Sequence, residues 1–156
     1  MLKIGENLPN FALPCVSANG ETQAALADFA GRTLILFFYP RDDTPGCTRE
    51  SIEFTEHLEA FTAANSVILG VSKDSVESHA KFIAKFDLKV GLLSDADSDL
   101  CEQLSVWKEK TNFGKKYMGI ERTTVVVDGT GIIRHLWRRV KVDGHVEAVL
   151  DAVQAL

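Results

Sequence analysis

The run Leu34-Ile35-Leu36-Phe37-Phe38-Tyr39-Pro40-Arg41-Asp42-Asp43-Thr44-Pro45-Gly46-Cys47-Thr48 decides the fold class. Six consecutive apolar residues, Leu34 to Tyr39, have the pattern of a central strand covered on both faces. Pro40 ends that strand because it has no N–H to give to a neighbour. Thr44 or Asp43 can cap a helix, Pro45 suits its first position, and Cys47 falls within the first turn. One cysteine is thereby mounted where a buried strand passes into a helix. Unpaired backbone N–H groups and the positive end of the helix dipole favour thiolate over thiol at such a place. Cys47 therefore reads as a nucleophile, against the blander reading of an inert core thiol.

Outward from this stretch, strands and helices alternate. Phe11, Leu13 and the turn signal Asn19-Gly20 mark an N-terminal hairpin. Phe54, Leu58 and Phe61 recur at helical spacing after Cys47, and Val67 to Val71 reads as a second buried strand. The next helix, Ser75 to Phe86, carries Val76, Ala80, Ile83, Phe82 and Phe86 on a broad apolar face. A short strand at Leu92 and Leu93 follows, then a brief helix begun by the Asp95 to Ser98 cluster and bearing Leu100, Cys101 and Leu104. Thr123 to Val127 and Ile132 to Trp137 pair through the turn Asp128-Gly129-Thr130-Gly131. Asp143 is placed to cap a last helix with Val146, Val149, Leu150 and Val153 inward. Ser105 to Glu121 lacks clear periodicity and reads as a long functional or mobile loop. Its aromatics are expected to pack over the side that carries Cys47, with Tyr117 and Met118 as an apolar wall there. The order fits an α/β, thioredoxin-like fold with an N-terminal hairpin extension and a long loop before the C-terminal hairpin, in one domain spanning residues 1–156.

The spacing Pro40-x-x-x-Thr44-x-x-Cys47 behind a hydrophobic strand resembles the active-site signature of the peroxiredoxins. Asp28-Phe29-Ala30-Gly31-Arg32, Thr44-Pro45-Gly46-Cys47-Thr48 and Met118-Gly119-Ile120-Glu121-Arg122-Thr123-Thr124 resemble the bacterioferritin comigratory protein, or peroxiredoxin Q, branch, and the likeness runs nearly end to end. The resemblance implies a peroxidase acting on hydrogen peroxide and organic hydroperoxides. It makes Cys47 the peroxidatic thiol, lets Pro40 and Thr44 shape its pocket, and sets Arg122 beside it as the cation. From spacing alone Arg122 is an ordinary arginine at a strand edge. Arg41 and Arg49 flank the motif without being shown to point at the sulfur. Glu50, one turn beyond Cys47, either orients an arginine or is a solvated helix-face residue.

Physical chemistry supports the same roles. A fast peroxidase must stabilise the departing oxygen, and each donor aimed at charge developing in a transition state contributes about a hundredfold to a thousandfold. Arg122, the Thr44 hydroxyl and the Cys47 N–H are the candidates; Arg is suited because it stays charged and presents fixed donors.

Many members of the resembled branch form an internal disulfide with a cysteine five residues after the peroxidatic one, and others use one on the next helix. Here Ile52 fills the first position and the helix Ser75 to Phe86 has no cysteine. Cys101 on its apolar face is a candidate resolving residue, with a structural thiol the better explanation, and Cys15 is a weaker candidate. The expectation is a one-cysteine cycle in which Cys47 becomes sulfenic acid and an external thiol attacks it, from thioredoxin or from glutathione with glutaredoxin. A rival is a redox-responsive binding protein or holdase whose Cys47 senses peroxide without turnover.

A formal charge of −5 argues against a general nucleic-acid or anionic-membrane binder. The opening residues lack a signal-peptide core, no stretch has spanning length, and three unevenly spaced cysteines suggest a reducing, cytoplasmic setting. His57, His79, His135 and His145 are scattered, fit no metal-ligand spacing and read as surface or helix-face residues. No cofactor is called for, since Gly129-Thr130-Gly131 does not lead into a helix as a dinucleotide site needs; a thioredoxin-type disulfide reductase is disfavoured because Glu50 stands where a C-x-x-C pair would have its second cysteine. The resembled branch suggests a monomer.

Overall fold

The computed structural model describes residues 2–156. In chain order, β1 (Ala12–Ser17) and β2 (Gly20–Ala25) form the N-terminal hairpin, and β3 (Thr33–Phe38) leads to α1 (Pro45–Glu56) and α2 (Leu58–Ala63). There follow β4 (Ser66–Ser72), α3 (Val76–Phe86), β5 (Gly91–Ser94) and α4 (Leu100–Gln103). The chain closes with β6 (Trp107–Asn112), β7 (Lys115–Ile120), β8 (Thr123–Val127), β9 (Ile133–Trp137) and α5 (His145–Gln154). Seven strands make one mixed sheet in the order β2-β1-β5-β4-β3-β8-β9, while β6 and β7 pair only with each other.

The apolar run works as a central strand because both its faces and both its edges are used. β3 pairs in parallel with β4 and antiparallel with β8. Its alternate side chains then divide two cores. Leu34, Leu36 and Phe38 point to the face covered by Leu100, Cys101 and Leu104 around α4. Ile35, Phe37 and the adjoining Tyr39 point to the other, filled from α1, α2, α3 and α5 by Phe54, Phe61, Phe82 and Val149 among others. The ring of Phe37 needs a hollow on the neighbouring strand, and Gly70, its partner in register, provides it. A Cβ on Gly70 would lie 2.7 Å from both Phe37 Cζ and Leu92 Cδ2.

Several expectations require correction. Ser105 to Glu121 is not a long loop. It is a two-stranded hairpin in which Trp107 pairs with Ile120 and Asn112 with Lys115. Its outer residues, 111–118, are exposed, so no buried face imposed the alternation by which a strand is recognised. Phe113 at its tip is 97% exposed and closes over nothing, while Tyr117 and Met118 are about half exposed at 49% each.

The helix after Cys47 breaks at His57, whose N–H still donates to Glu53 O at 3.1 Å and whose ring Nδ1 lies 2.9 Å from the same oxygen. Gly144, at φ 71°, takes the cap position of α5, because the Asp143 carboxylate is engaged 2.8 Å from Arg49 Nη2. Ala80 is exposed, and the inward side of α3 is instead His79, Phe82 and Ile83. His79 and His145 are buried rather than superficial. Among the described residues no helix is long and apolar enough to cross a membrane.

Gly70→Ala is expected to destabilise the fold by about 1–3 kcal/mol, since the added methyl must displace packed rings rather than fill space. Urea unfolding measures this, and an unchanged midpoint would mean that β3 and β4 leave room at this position.

Candidate active site

Tyr39 extends β3 by one backbone bond, its N–H donating to Val71 O at 3.1 Å, before Pro40 turns the chain away from the sheet. The loop that follows is held by one buried side chain. Asp42 accepts the Tyr39 hydroxyl at 2.6 Å and the Ser78 hydroxyl at 2.8 Å, and lies 2.7 Å from His79 Nδ1. Its own N–H donates to Asp74 Oδ2 at 2.9 Å, and the Ser72 hydroxyl donates to the same oxygen at 2.6 Å. His79 Nε2 lies 2.9 Å from Leu93 O, which ties the cluster to β5. Burial, followed by the Asp42 charge, holds the Tyr39 phenol well above its usual range, so it remains a donor. Asp42, Asp74 and His79 are three residues of metal-ligand type that converge among the described residues. Their oxygen and nitrogen atoms already satisfy one another by hydrogen bonds, which a cation would have to displace.

From this anchored loop α1 starts with Pro45 in its first turn and Thr44 at the cap position. The cap works through the backbone: Thr44 O accepts from Thr48 N at 2.8 Å, while the Thr44 hydroxyl donates to Arg41 O at 2.8 Å. Asp43 takes a left-handed φ of 57° and pairs with Lys85 at 2.7 Å. Cys47 then lies inside the first turn, 1% exposed, on the inward face of α1 with Glu50 and Phe54.

Arg122 reaches this sulfur from the opposite side of the site, at the entry to β8. Its Nη2 donates to Cys47 Sγ at 3.3 Å and its Nη1 donates to Glu50 Oε1 at 2.8 Å. The planar fork thus spans sulfur and carboxylate with separate nitrogens. Gly46 makes room for it, since a Cβ there would lie 3.1 Å from Arg122 Nη2. Burial works against the guanidinium charge, but Glu50 and Cys47 outweigh it and raise the Arg122 pKa beyond its ordinary value.

Glu50 is fully buried, so of the two readings left open by sequence the orienting one holds. Its second oxygen, Oε2, has no hydrogen-bond partner and lies 4.0 Å from His145 Nε2. That approach is not an ion pair near neutral pH, because burial, aided by the Arg122 charge, lowers the His145 pKa to about 4. The same ring nitrogen lies 2.8 Å from the Thr124 hydroxyl.

The sequence-derived candidates separate cleanly. Cys47 and Arg122 meet; Thr44 caps the same turn; Pro40, partly buried, bends the chain ahead of it. Arg41 is exposed, and Arg49 is engaged by Glu53 at 3.5 Å and Asp143 at 2.8 Å. Cys15 and Cys101 belong to the core on the other face of the sheet from Cys47. Burial raises both their pKa values, and Asp95 adds to the shift at Cys101, so both remain thiols.

Two contributors escaped sequence reading. Asp42 carried no sign of a role, and nothing in its spacing joined it to His79, 37 residues away. Nothing in the spacing of Lys110 marked it, yet its Nζ donates to Ile120 O at 2.5 Å. Burial first, then the Arg122 charge, lowers its pKa, while the Cys47 sulfur opposes that shift.

Burial, opposed by Arg122, pushes the Glu50 pKa from its ordinary 4.5 up to about 7. The native state therefore holds this proton more tightly than the unfolded chain does, and between those two values stability falls as pH rises. Glu50→Gln is expected to remove that component, on the order of 2 kcal/mol between pH 4.5 and pH 7.5. Urea unfolding of both proteins across this range checks it; parallel profiles would sink the assignment.

The architecture and the site have clear counterparts. Residues 4–136 match the family model described as the AhpC/TSA family. The peroxiredoxin Bcp of Bacillus subtilis is 44% identical over 153 residues, covering 98% of this chain and 96% of that one. Among solved structures, the PrxQ of Xylella fastidiosa superposes with a TM-score of 0.90 at 41% identity, covering 99% of this chain and 97% of the other. The bacterioferritin comigratory protein of Xanthomonas campestris, studied for its alkyl peroxide reduction activity, gives a TM-score of 0.83 at 45% identity, with coverage of 92% and 90%. With a thioredoxin-like α/β fold and a cysteine on the first turn after its central strand, the chain belongs to the AhpC/TSA family as a peroxiredoxin of the Bcp type, a thiol-dependent peroxidase that consumes a peroxide and a thiol reductant.

Proposed function

We propose that Cys47 is the peroxidatic thiol and that this peroxidase runs a one-cysteine cycle. The Cys47 thiolate attacks one oxygen of ROOH, the O–O bond breaks, and the products are Cys47 sulfenic acid and, after proton uptake, ROH. Arg122 aims charged donors at the place where that negative charge moves, and the Cys47 N–H adds a neutral one. The Thr44 oxygen, with its proton committed to Arg41 O, presents lone pairs to a protonated peroxide oxygen. Pro40 brings a rigid ring without an N–H and limits water near the sulfur. Hydrogen peroxide and organic hydroperoxides are both substrates on this reading, in line with the alkyl peroxide reduction studied in the Xanthomonas relative.

The observation that carries the one-cysteine cycle is the sheet itself. Cys47 packs with Ile35, Phe37 and Tyr39, whereas Cys15 and Cys101 pack with Leu34, Leu36 and Phe38. A disulfide needs Cα atoms within about 7 Å and Cβ atoms facing each other. To bridge to Cys47, either thiol would have to pass around a sheet whose central strand is fully buried. An external thiol therefore attacks the sulfenic acid and releases water, and a second thiol frees Cys47 from the mixed disulfide. The reductant is thioredoxin, or glutathione with glutaredoxin. The chain acts as a single domain over residues 1–156, as a monomer, in the cytoplasm.

Intact mass of the non-reduced protein after one equivalent of hydrogen peroxide tests the cycle. A gain of about 16 Da that disappears in Cys47→Ser is expected for sulfenic acid. A loss of about 2 Da without dimer formation would mean an internal disulfide and overturn the one-cysteine reading. The role of Arg122 has its own test. Arg122→Met is expected to slow peroxide attack by about a hundredfold or more, and iodoacetamide alkylation far less. Equal slowing of the two reactions would show that Arg122 acts only by forming thiolate.

A further inference from the structure

Beyond its base, the hairpin of β6 and β7 contributes no residue to either core. Its base is fixed: Trp107 pairs with Ile120, and Glu121 N donates to Val106 O at 2.7 Å. Beyond the base the strands project with residues 111–118 exposed, and an isolated two-stranded ribbon gains little stability by itself. Its tip is built against local preference. The two-residue loop Phe113-Gly114 has φ of 51° and 76°, both positive, a conformation that favours Asn-Gly. A bulky aromatic residue rarely adopts it. Phe113 is also 97% exposed, so it is neither comfortable in its backbone nor packed on anything in this chain. Tyr117 and Met118 extend the exposed apolar surface along the next strand.

The hairpin is also cationic. Lys108, Lys110, Lys115 and Lys116 face only Glu109 within the hairpin, on a protein whose net charge is −5. A cationic arm tipped by an exposed aromatic residue matches a partner that is acidic around an apolar patch.

The position of the arm supplies the functional link. Arg122, which touches the Cys47 sulfur, follows the last residue of β7 by two positions, so the root of the arm borders the reacting centre. Six-residue strands carry the tip about 20 Å from that root. A folded domain of about 100 residues, with a radius of gyration near 13 Å, can rest on the tip while its own sulfur faces Cys47.

We propose that the β6–β7 hairpin is the docking arm for the protein reductant, an acidic dithiol protein whose cysteine pair sits in an apolar surface. The proposal rests on the reading that Cys47 is recycled by an external thiol. The chemistry served is the same two-step exchange. The partner's first thiolate attacks Cys47 sulfenic acid, water leaves, and the partner's second thiolate then displaces Cys47 and takes both oxidising equivalents away as its own disulfide. A small dithiol needs no arm, whereas a folded partner must be oriented before its sulfur can reach a cysteine that is 1% exposed.

The decisive experiment compares peroxide turnover driven by dithiothreitol with turnover driven by an acidic thioredoxin and its reductase. The proteins are wild type, Phe113→Asn and the pair Lys115→Glu with Lys116→Glu. Phe113→Asn suits the turn better than the native residue, so loss of folding is not an alternative explanation; urea unfolding verifies this. The expected result is a rise in the KM for thioredoxin of about tenfold in both variants, with dithiothreitol-driven turnover unchanged. Added salt should weaken thioredoxin use in the wild type more than in the charge-reversed pair. Unchanged thioredoxin kinetics in the variants would overturn the arm while leaving external recycling intact. So would a wild type that turns over with dithiothreitol but not with thioredoxin, or sedimentation showing that the arm joins two copies of this chain. Failure with dithiothreitol as well would instead strike the reading on which the proposal rests.

Discussion

The guanidinium of Arg122, held between a buried carboxylate and a buried sulfur, is the constraint around which the rest of the molecule is arranged. Glu50 belongs to α1 and Arg122 to the entry of β8, so the contact ties the helix to the far side of the strand from which that helix springs. Burying a carboxylate disfavours its charge, and the raised pKa of Glu50 shows that one guanidinium only partly offsets this. A hydrophobic residue in its place would give a quieter core but leave Arg122 free to turn toward solvent. Gly46 belongs to the same solution: its missing side chain is the space in which the fork lies.

A second knot holds the other flank. Asp42 gathers Tyr39, Ser78 and His79, and its backbone reaches Asp74, so the loop before Cys47 is fastened to both α3 and the end of β4. The first turn of α1 is therefore located from two directions, by the Asp42 cluster behind it and by Arg122 in front. Within that turn the hydrogen bonds are mainly backbone ones, and the Thr44 hydroxyl turns back to Arg41 O rather than forward to the helix. The two flanks together hold the sulfur in place.

Sequence disclosed what local pattern can encode. Six apolar residues, a proline stop and a helix start placed Cys47 correctly, because strand, turn and first helical turn are contiguous in the chain. The alternation of β and α elements was readable for the same reason. Arg122 was different: strand spacing put it near a strand edge, and only likeness to a family pointed it at the sulfur. Glu50 stayed undecided because burial of a helix-face glutamate depends on what crosses over it. Asp42 with His79 is a contact between distant segments and Lys110 with Ile120 one across a hairpin, and the chain carries no periodic sign of either. The β6–β7 hairpin failed in the opposite way: its strands obey backbone pairing alone, and with neither face buried its side chains had no rhythm to show.

The sheet does more than support the site. It keeps Cys15 and Cys101 on the face away from Cys47, and on the proposed cycle this confines oxidation to a single sulfur. On the proposed cycle the oxidised protein has no internal exit, so the lifetime of the sulfenic acid is set by the supply of reductant. That lifetime is a clock. When reductant is plentiful the interval is short and throughput follows peroxide; when it is scarce, a second peroxide competes for the same sulfur and drives it to sulfinic acid. A partition between two hydrophobic cores thus makes the fate of one atom depend on the surrounding thiol pool.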